Sequence, residues 1–121
     1  MDRLYDLKVK ELWQQGKLKQ YYSELTQILK EYIGARYYFN APELTTEELL
    51  SDRSKWNVAD VDFNRVVWIL TSADLVKFAH RKTDPNENSQ NYDRVRDFVV
   101  ATKPLEVEPD QQKEGADGTS S

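Results

Sequence analysis

Residues 18 to 33 carry apolar side chains at a spacing that places them on one face of an α-helix. The spacing alternates between three and four residues for roughly four turns. Its positions are Leu18, Tyr21, Tyr22, Leu25, Ile28, Leu29, Tyr32 and Ile33. We expect the helix to end between residues 34 and 38, because Pro42 disfavours helical backbone at Ala41. An apolar stripe of this length has to be covered by other elements, so the chain is constrained to fold as packed helices.

The segment before this helix repeats the same spacing at Tyr5, Val9, Leu12 and Trp13. Gly16 separates the two segments, and a glycine inside a helix costs up to ~1 kcal/mol relative to alanine. The pattern therefore predicts a first helix followed by either a tight turn or a kink at Gly16, and we favour a break there.

The stretch "ELTTEELL", residues 43 to 50, contains the start signal of a short helix. Thr45 can accept a hydrogen bond from the backbone N–H of Glu48, while the Glu48 carboxylate reaches back to the N–H of Thr45. Leu44 and Leu49 occupy the two positions of a hydrophobic staple around this cap. Such a cap stabilises a helix by about 1 kcal/mol and fixes where it begins.

The chain after this stretch predicts a loop and then a helical segment with an interruption. Residues 51 to 57 are polar apart from Trp56, which is typical of a loop. Asp60 can cap the helix that follows. The apolar positions of that helix are Phe63, Val66, Val67 and Leu70. Residues 60 to 82 form either one kinked helix or two. We expect a break near Thr71 or Ser72, where Ser72 could cap a new helix. The apolar positions of the new helix are Leu75, Val76, Phe78 and Ala79.

A further start signal opens the last predicted helix. Asp84 is placed as its cap, Pro85 as its first residue and Glu87 as its third. The apolar positions of this helix are Tyr92, Val95, Phe98 and Val99, and it stops before Pro104.

No segment shows a sustained two-residue alternation of apolar and polar side chains, so no β-strand is predicted. We predict an all-α domain over residues 1 to 103, built as a bundle of about five helices. Residues 104 to 121 combine acidic residues, proline, glycine and serine with almost no apolar content. They are predicted to form a disordered acidic tail.

Charge and composition exclude several classes of protein. The net charge of −4 is concentrated after residue 102, which leaves the rest of the chain at about −1. A nucleic-acid-binding domain normally carries a clear basic excess, so we expect no nucleic-acid partner. The chain has no cysteine, which excludes disulfides and thiolate metal sites. It has no apolar run near the ~20 residues of a membrane span, so the chain itself is predicted to be soluble.

The only histidine, His80, lies in a basic segment with Lys77, Arg81 and Lys82. A lone imidazole among cations is poorly placed to bind a metal ion, and we interpret His80 as an ordinary surface or boundary residue. The three cations are favourable at the end of a helix, where they stay solvated. They could also bind an acidic partner or lipid headgroups. We therefore treat Lys77, Arg81 and Lys82 as a secondary candidate contact surface.

Three consecutive aromatic residues, Tyr37, Tyr38 and Phe39, cannot all point inward from a helix. At least one of them should be exposed or lie under a loop. Together with Trp56 they are the first candidate contact surface for a partner.

Other patterns fail as catalytic, DNA-binding or repeat signatures. The pairs Glu47/Glu48 and Asp60/Asp62 are neighbours in sequence and do not face each other as an acid–base pair requires. The helix that begins in "ELTTEELL" presents carboxylates that DNA phosphates would repel. A single tetratricopeptide-like stretch, "WQQGKLKQYY", has no second copy to pack against. We expect no catalytic residue, no cofactor and no metal ion.

Two segments carry a family resemblance: "LWQQGKLKQYYSELTQILKEYIGARYYFNAPELTTEELL" and "SADLVKFAH". Within roughly residues 7 to 100, the chain resembles the cytosolic, juxtamembrane helical domain of BatD-like bacterial membrane proteins of the aerotolerance type. The residues that carry the resemblance are Trp13, Gly16, Tyr21, Tyr22, Leu25, Leu29, Tyr32, the run from Glu43 to Glu48 and the run from Ala73 to Ala79.

The resemblance implies a protein partner, which would be a MoxR-type ATPase or a von Willebrand factor A domain protein. It also implies a place on the cytoplasmic side of the bacterial inner membrane, anchored by a membrane helix that this chain lacks. The family supplies no catalytic residues to transfer. We therefore expect a non-enzymatic protein-interaction domain, and the alternative is a helical nucleic-acid-binding domain.

Overall fold

Residues 2 to 104, the part of the chain that this computed structural model describes, contain five α-helices and no strand. The helices are α1 (Asp2–Lys10), α2 (Leu18–Tyr37), α3 (Thr46–Ser51), α4 (Asp60–Ala79) and α5 (Pro85–Thr102). Short 3-10 turns lie at Trp13–Gln15, Ala41–Glu43 and Arg53–Lys55. The predicted all-α bundle of about five helices is confirmed. The predicted disordered tail lies outside the described residues, except for Pro104.

Helix α2 runs through the middle of the bundle and packs against α1, α4 and α5. Its buried face carries the residues predicted from the sequence, and Tyr22, Leu25, Leu29 and Ile33 are fully enclosed. The helix ends where expected, with Tyr38 in the left-handed region at φ 62°. A Cβ atom added at Gly34 would lie 2.8 Å from the carbonyl oxygen of Phe39. Glycine is therefore required where the chain folds back across the end of α2.

The predicted break at Gly16 is confirmed, because Gly16 ends the first 3-10 turn at φ 81°. The predicted buried face of α1 is wrong. Tyr5 and Val9 are exposed, and Leu4 and Leu7 are buried in their place. The physical reason is Glu11, whose φ of 51° ends the helix before Leu12. Residues before and after Glu11 do not belong to one continuous helix. The spacing from Tyr5 to Leu12 therefore does not place these residues on one helical face.

The capping box predicted for α3 is confirmed. Thr45 Oγ1 accepts a hydrogen bond from the backbone N–H of Glu48 at 3.1 Å, and the Glu48 carboxylate accepts one from the N–H of Thr45 at 2.9 Å. Leu49 is fully buried and Leu44 packs against the core. The region after the helix is a loop with one 3-10 turn, as predicted, although Ser51 still belongs to α3.

Helix α4 is continuous, so the predicted break near Thr71 or Ser72 is wrong. Serine and threonine lower helix stability by only ~0.5 kcal/mol per residue. Burial of the flanking residues Leu70, Ala73 and Val76 against the bundle outweighs that cost. The predicted cap is also displaced. Asp60 is the first residue of the helix, and Ala59 holds the cap position without a side-chain hydrogen bond.

The predicted start of α5 is confirmed, because Asp84 Oδ1 accepts a hydrogen bond from the backbone N–H of Glu87 at 2.8 Å. Pro85 is the first helical residue. The first turns of α5 bring Asn88 and Asn91 into the core, both of them buried. They face the two tyrosines of α2, which the sequence pattern identified only as core residues.

A buried polar network joins α2 to α5 at this point. The Tyr22 hydroxyl donates to Asn88 Oδ1 and accepts from Asn91 Nδ2, both at 2.9 Å. The Tyr21 hydroxyl donates to the backbone oxygen of Asn88 at 3.1 Å. Thr83 Oγ1 donates to Asn88 Oδ1 at 2.6 Å. Because each hydroxyl must meet its own partner, the network fixes one register between the two helices.

Candidate interaction surfaces

The solvent face of α4 carries a line of residues spaced alternately by three and four positions. We call this line the α4 stripe. Its members are Val61, Asn64, Trp68, Thr71, Leu75 and Phe78. All six are exposed. The four large apolar members keep substantial exposed fractions: Val61 60%, Trp68 55%, Leu75 41% and Phe78 76%.

The stripe lies opposite the buried face of the same helix. The buried positions of α4 are Asp62, Val66, Ile69, Leu70, Ser72, Ala73 and Val76. The bundle covers that side with α2 and α5. Helix α4 is therefore apolar on both sides, and only one of these sides is covered within residues 2 to 104. A helix that is apolar all round is normally enclosed on all sides.

One side chain of the stripe, Trp68, is contacted by an arginine from α5. The guanidinium carbon of Arg94 lies 4.8 Å from the centre of the Trp68 ring. Arg94 is itself positioned by Asn91, whose Oδ1 accepts its hydrogen bond at 2.8 Å. The buried network between α2 and α5 thus extends to the outer surface, where it orients the largest member of the stripe.

A surface hollow of about 240 Å³ opens beside the middle of the stripe. Trp68 and Leu75 form two of its walls, and the small side chain of Thr71 lies between them. The ion pair of Arg81 and Glu87 closes another side, with the two guanidinium nitrogens 2.6 and 2.9 Å from the carboxylate oxygens. The hollow can accept one large apolar side chain from outside.

The aromatic candidates Tyr37, Tyr38 and Phe39 lie together at the end of α2. Tyr38 is 90% exposed, because its left-handed backbone turns the side chain outward. Tyr37 and Phe39 are half-buried. A cation covers each of them, with Arg36 at 4.8 Å from the Tyr37 ring and Lys55 at 5.9 Å from the Phe39 ring. At least one aromatic side chain is thus exposed, as the sequence analysis expected.

Trp56 is fully buried, so the prediction that it belongs to this contact surface is wrong. Its indole N–H donates to the backbone oxygen of Leu49 at 3.1 Å. Its ring packs 5.3 Å from that of Phe63 and 6.5 Å from that of Phe98. The polar residues around Trp56 predict a loop correctly, but this loop folds its one large apolar side chain into the core.

The basic candidates Lys77, Arg81 and Lys82 do not form one surface. Lys77 is half-buried and donates to Thr26 Oγ1 at 3.3 Å, towards α2. Arg81 is exposed but paired with Glu87, and Lys82 is exposed beside it. His80 is exposed too, and its positive φ of 55° ends α4.

Residues 2 to 104 hold no group of three or more histidine or acidic side chains that could bind a metal ion. In the same part of the chain, none of the helices is both long enough and apolar enough to cross a bilayer.

The chain matches no protein-family model, no curated protein and no solved structure. The resemblance to the BatD-like family therefore stays a prediction, and the surfaces themselves have to support any functional conclusion.

The α4 stripe was not predicted from the sequence, although its repeat is visible there. Val61, Trp68 and Leu75 recur every seven residues, and so do Asn64, Thr71 and Phe78. The residues of this repeat alternate with the core positions of the same helix. The predicted break near Thr71 also divided the repeat between two helices. A continuous helix with a seven-residue repeat outside its core face is the pattern that would have identified the surface.

Proposed function

We propose that this chain is a non-enzymatic protein-interaction domain and that the α4 stripe is its binding face. The observation that carries the proposal is the exposure of four large apolar side chains along one side of a 20-residue helix. A fully exposed aromatic side chain presents ~150–250 Å², so Trp68 and Phe78 alone leave roughly 250 Å² of apolar surface in water. With Val61 and Leu75 the stripe reaches about 400 Å², within the range of patches that often serve recognition.

The shape of the stripe favours a helical partner. An amphipathic helix presents its anchoring side chains at the same three- and four-residue spacing, and such helices bind along apolar faces of this kind. The hollow beside Thr71 can receive one large side chain of such a helix. Side chains buried in pockets of this kind contribute most of the binding energy of an interface.

We further propose, from the resemblance, that the protein partner is a MoxR-type ATPase or a von Willebrand factor A domain protein. On the same ground we propose that the domain is bacterial and works at the cytoplasmic side of the inner membrane, anchored through a segment outside this chain.

The test is a binding titration with the purified ATPase and the purified von Willebrand factor A protein of the same organism. We expect Phe78→Ala to weaken binding by at least tenfold, since truncating an aromatic anchor of an interface typically costs ~2 kcal/mol or more. The matched control is Tyr5→Ala, which removes another helical aromatic ring that is 64% exposed and lies outside the stripe. Binding of neither protein, or equal weakening by both variants, would contradict the proposal.

The alternative, binding to nucleic acid, is disfavoured by how the arginines are used. Arg53 pairs with Asp60, Arg81 with Glu87 and Arg96 with Asp93. Phosphate contacts would have to displace these carboxylates. We expect a flat titration with duplex and single-stranded DNA at low salt. A binding constant that falls steeply as salt rises would favour the nucleic-acid alternative instead.

A further inference from the structure

We propose that the α4 stripe binds the α4 stripe of a second copy of this chain, with the two helices antiparallel. This inference rests on the proposed function, because it names a partner for the same face. Helices whose exposed apolar residues recur with a seven-residue period pair with one another through interlocking side chains. The period is unbroken over the six positions of the stripe, from Val61 to Phe78.

When two stripes run in opposite directions, the large side chains of one lie opposite the smaller side chains of the other. A two-fold axis that passes between Ile69 and Leu70 brings each stripe residue opposite a different residue of the other copy. Three kinds of layer result, and the two-fold axis makes each occur twice: Val61 with the partner's Phe78, Asn64 with the partner's Leu75, and Trp68 with the partner's Thr71. Every layer joins a large side chain to a smaller one, as close packing of two helices requires.

A parallel arrangement lacks this complementarity. It would place each residue opposite its own copy, so that Trp68 meets Trp68 and Phe78 meets Phe78. The polar residues Asn64 and Thr71 would then face their own copies in separate layers. Overfilled and underfilled layers both cost packing energy, which favours the antiparallel pair.

The hollow beside Thr71 has the position that the antiparallel pair needs. It lies between Trp68 and Leu75, and the partner's Trp68 is the residue that reaches this level. By symmetry the partner's hollow receives the other Trp68. The largest side chain of each stripe is thus enclosed at the centre of the interface, where anchoring residues contribute most.

The helix dipoles also favour the antiparallel pair. An antiparallel pair sets the dipoles of the two α4 helices in opposite directions, whereas a parallel pair would align them and bring equal partial charges together at each end. Asp60 and Arg81, near the two ends of α4, are already paired with Arg53 and Glu87 within the domain, so they add little to this preference.

The area available indicates a modest affinity. Two stripes of about 400 Å² and their flanking side chains bury roughly 1,000 Å² in total, the lower end of specific protein interfaces. We therefore expect a reversible dimer with a dissociation constant of roughly micromolar order.

The experiment is sedimentation equilibrium of the full chain between about 1 and 200 µM. We expect a monomer–dimer equilibrium whose dissociation constant rises at least tenfold in the double variant Trp68→Ala/Phe78→Ala. The control Tyr5→Ala/Val100→Ala also truncates two exposed apolar side chains, both outside the stripe, and should leave the constant unchanged. A chain that stays monomeric at 200 µM, or a dimer that both double variants weaken equally, overturns the inference.

Single cysteines test the orientation, since the chain contains none of its own. In the antiparallel dimer a mixture of the Asn64→Cys and Leu75→Cys proteins should form a mixed disulfide. Asn64→Cys alone should not, because its two copies lie about 16 Å apart along the helix axis, beyond the reach of a disulfide. Rapid disulfide formation by Asn64→Cys alone overturns the antiparallel arrangement.

The dimer and the proposed function can fail separately. If the chain is monomeric but still binds the ATPase or the von Willebrand factor A protein through Phe78, the dimer is refuted and the proposed function is retained. A chain that dimerises through the stripe but binds neither protein supports the dimer and refutes the partners drawn from the resemblance.

Discussion

Removal of one hydroxyl, in Tyr22→Phe, should destabilise the fold far more than the loss of one hydrogen bond. The Tyr22 hydroxyl accepts from Asn91 Nδ2 and donates to Asn88 Oδ1. Asn88 Oδ1 keeps a second donor, Thr83 Oγ1, when the hydroxyl is gone. Asn91 is fully buried, so its amide N–H is left without the partner that satisfied it.

The expected cost has two parts. The lost hydrogen bonds contribute about 1 kcal/mol, and a buried donor left unsatisfied costs a further 1–3 kcal/mol, so we expect Tyr22→Phe to lower the free energy of unfolding by about 2–4 kcal/mol. For a domain of this size that change lowers Tm by roughly 10 °C or more.

Tyr21→Phe is the matched control, because it removes a neighbouring buried hydroxyl with a single partner, the backbone oxygen of Asn88. That oxygen lies inside α5, where it also accepts within the helix, so we expect a loss of only about 0.5–1 kcal/mol. Urea unfolding followed by circular dichroism at 222 nm measures both values. If Tyr22→Phe costs no more than Tyr21→Phe, the argument from the unsatisfied Asn91 amide is refuted.

Two further predictions concern pH and the cap of α3. Burial raises the pKa of Tyr21 and Tyr22 above the ordinary value of 10.0. The folded state therefore keeps protons that the unfolded state releases, so the contribution of these two tyrosines to stability should be constant well below pH 10 and fall above it; a free energy of unfolding that rises above pH 10 would contradict this. Thr45→Ala should cost about 1 kcal/mol in urea unfolding, since it removes the acceptor for the Glu48 N–H, whereas Thr46→Ala, one residue inside the helix, should cost less.

Sequence alone predicted those parts of the fold that depend on neighbouring residues. The caps at Thr45 and Asp84 and the end of α2 follow from hydrogen bonds and backbone limits within a few positions. The failures share a different cause. Continuity of α4 through Thr71 depends on burial against other helices. Enclosure of Trp56 depends on Phe63, which lies in the next α-helix, and on Phe98, which is distant along the chain.

The candidate surfaces were predictable to a smaller extent. Tyr38 is exposed because three aromatics in a row cannot share one buried face, which the sequence already implies. The stripe shows a seven-residue repeat in the sequence, but α4 is apolar on both sides. The repeat is therefore recognisable as a surface only once it is known which side of α4 the bundle covers. Only the assembled core identifies Trp68 and Phe78 as outward and Ile69 and Val76 as inward.

With the α4 stripe as the proposed binding face, stability and recognition depend on opposite sides of α4, and substitutions should separate them. Burial of the inward residues holds α4 against α2 and α5, so truncating Ile69 should cost about 2–5 kcal/mol of folding free energy. Phe78 is 76% exposed and has little burial to lose, so Phe78→Ala should leave the free energy of unfolding of a dilute, monomeric sample within about 0.5 kcal/mol. The same substitution should weaken association. A loss of association without a loss of folding stability is expected of an interface residue and not of a residue that stabilises the fold. A Phe78→Ala chain that unfolds as readily as an Ile69 truncation would show instead that the stripe belongs to the fold.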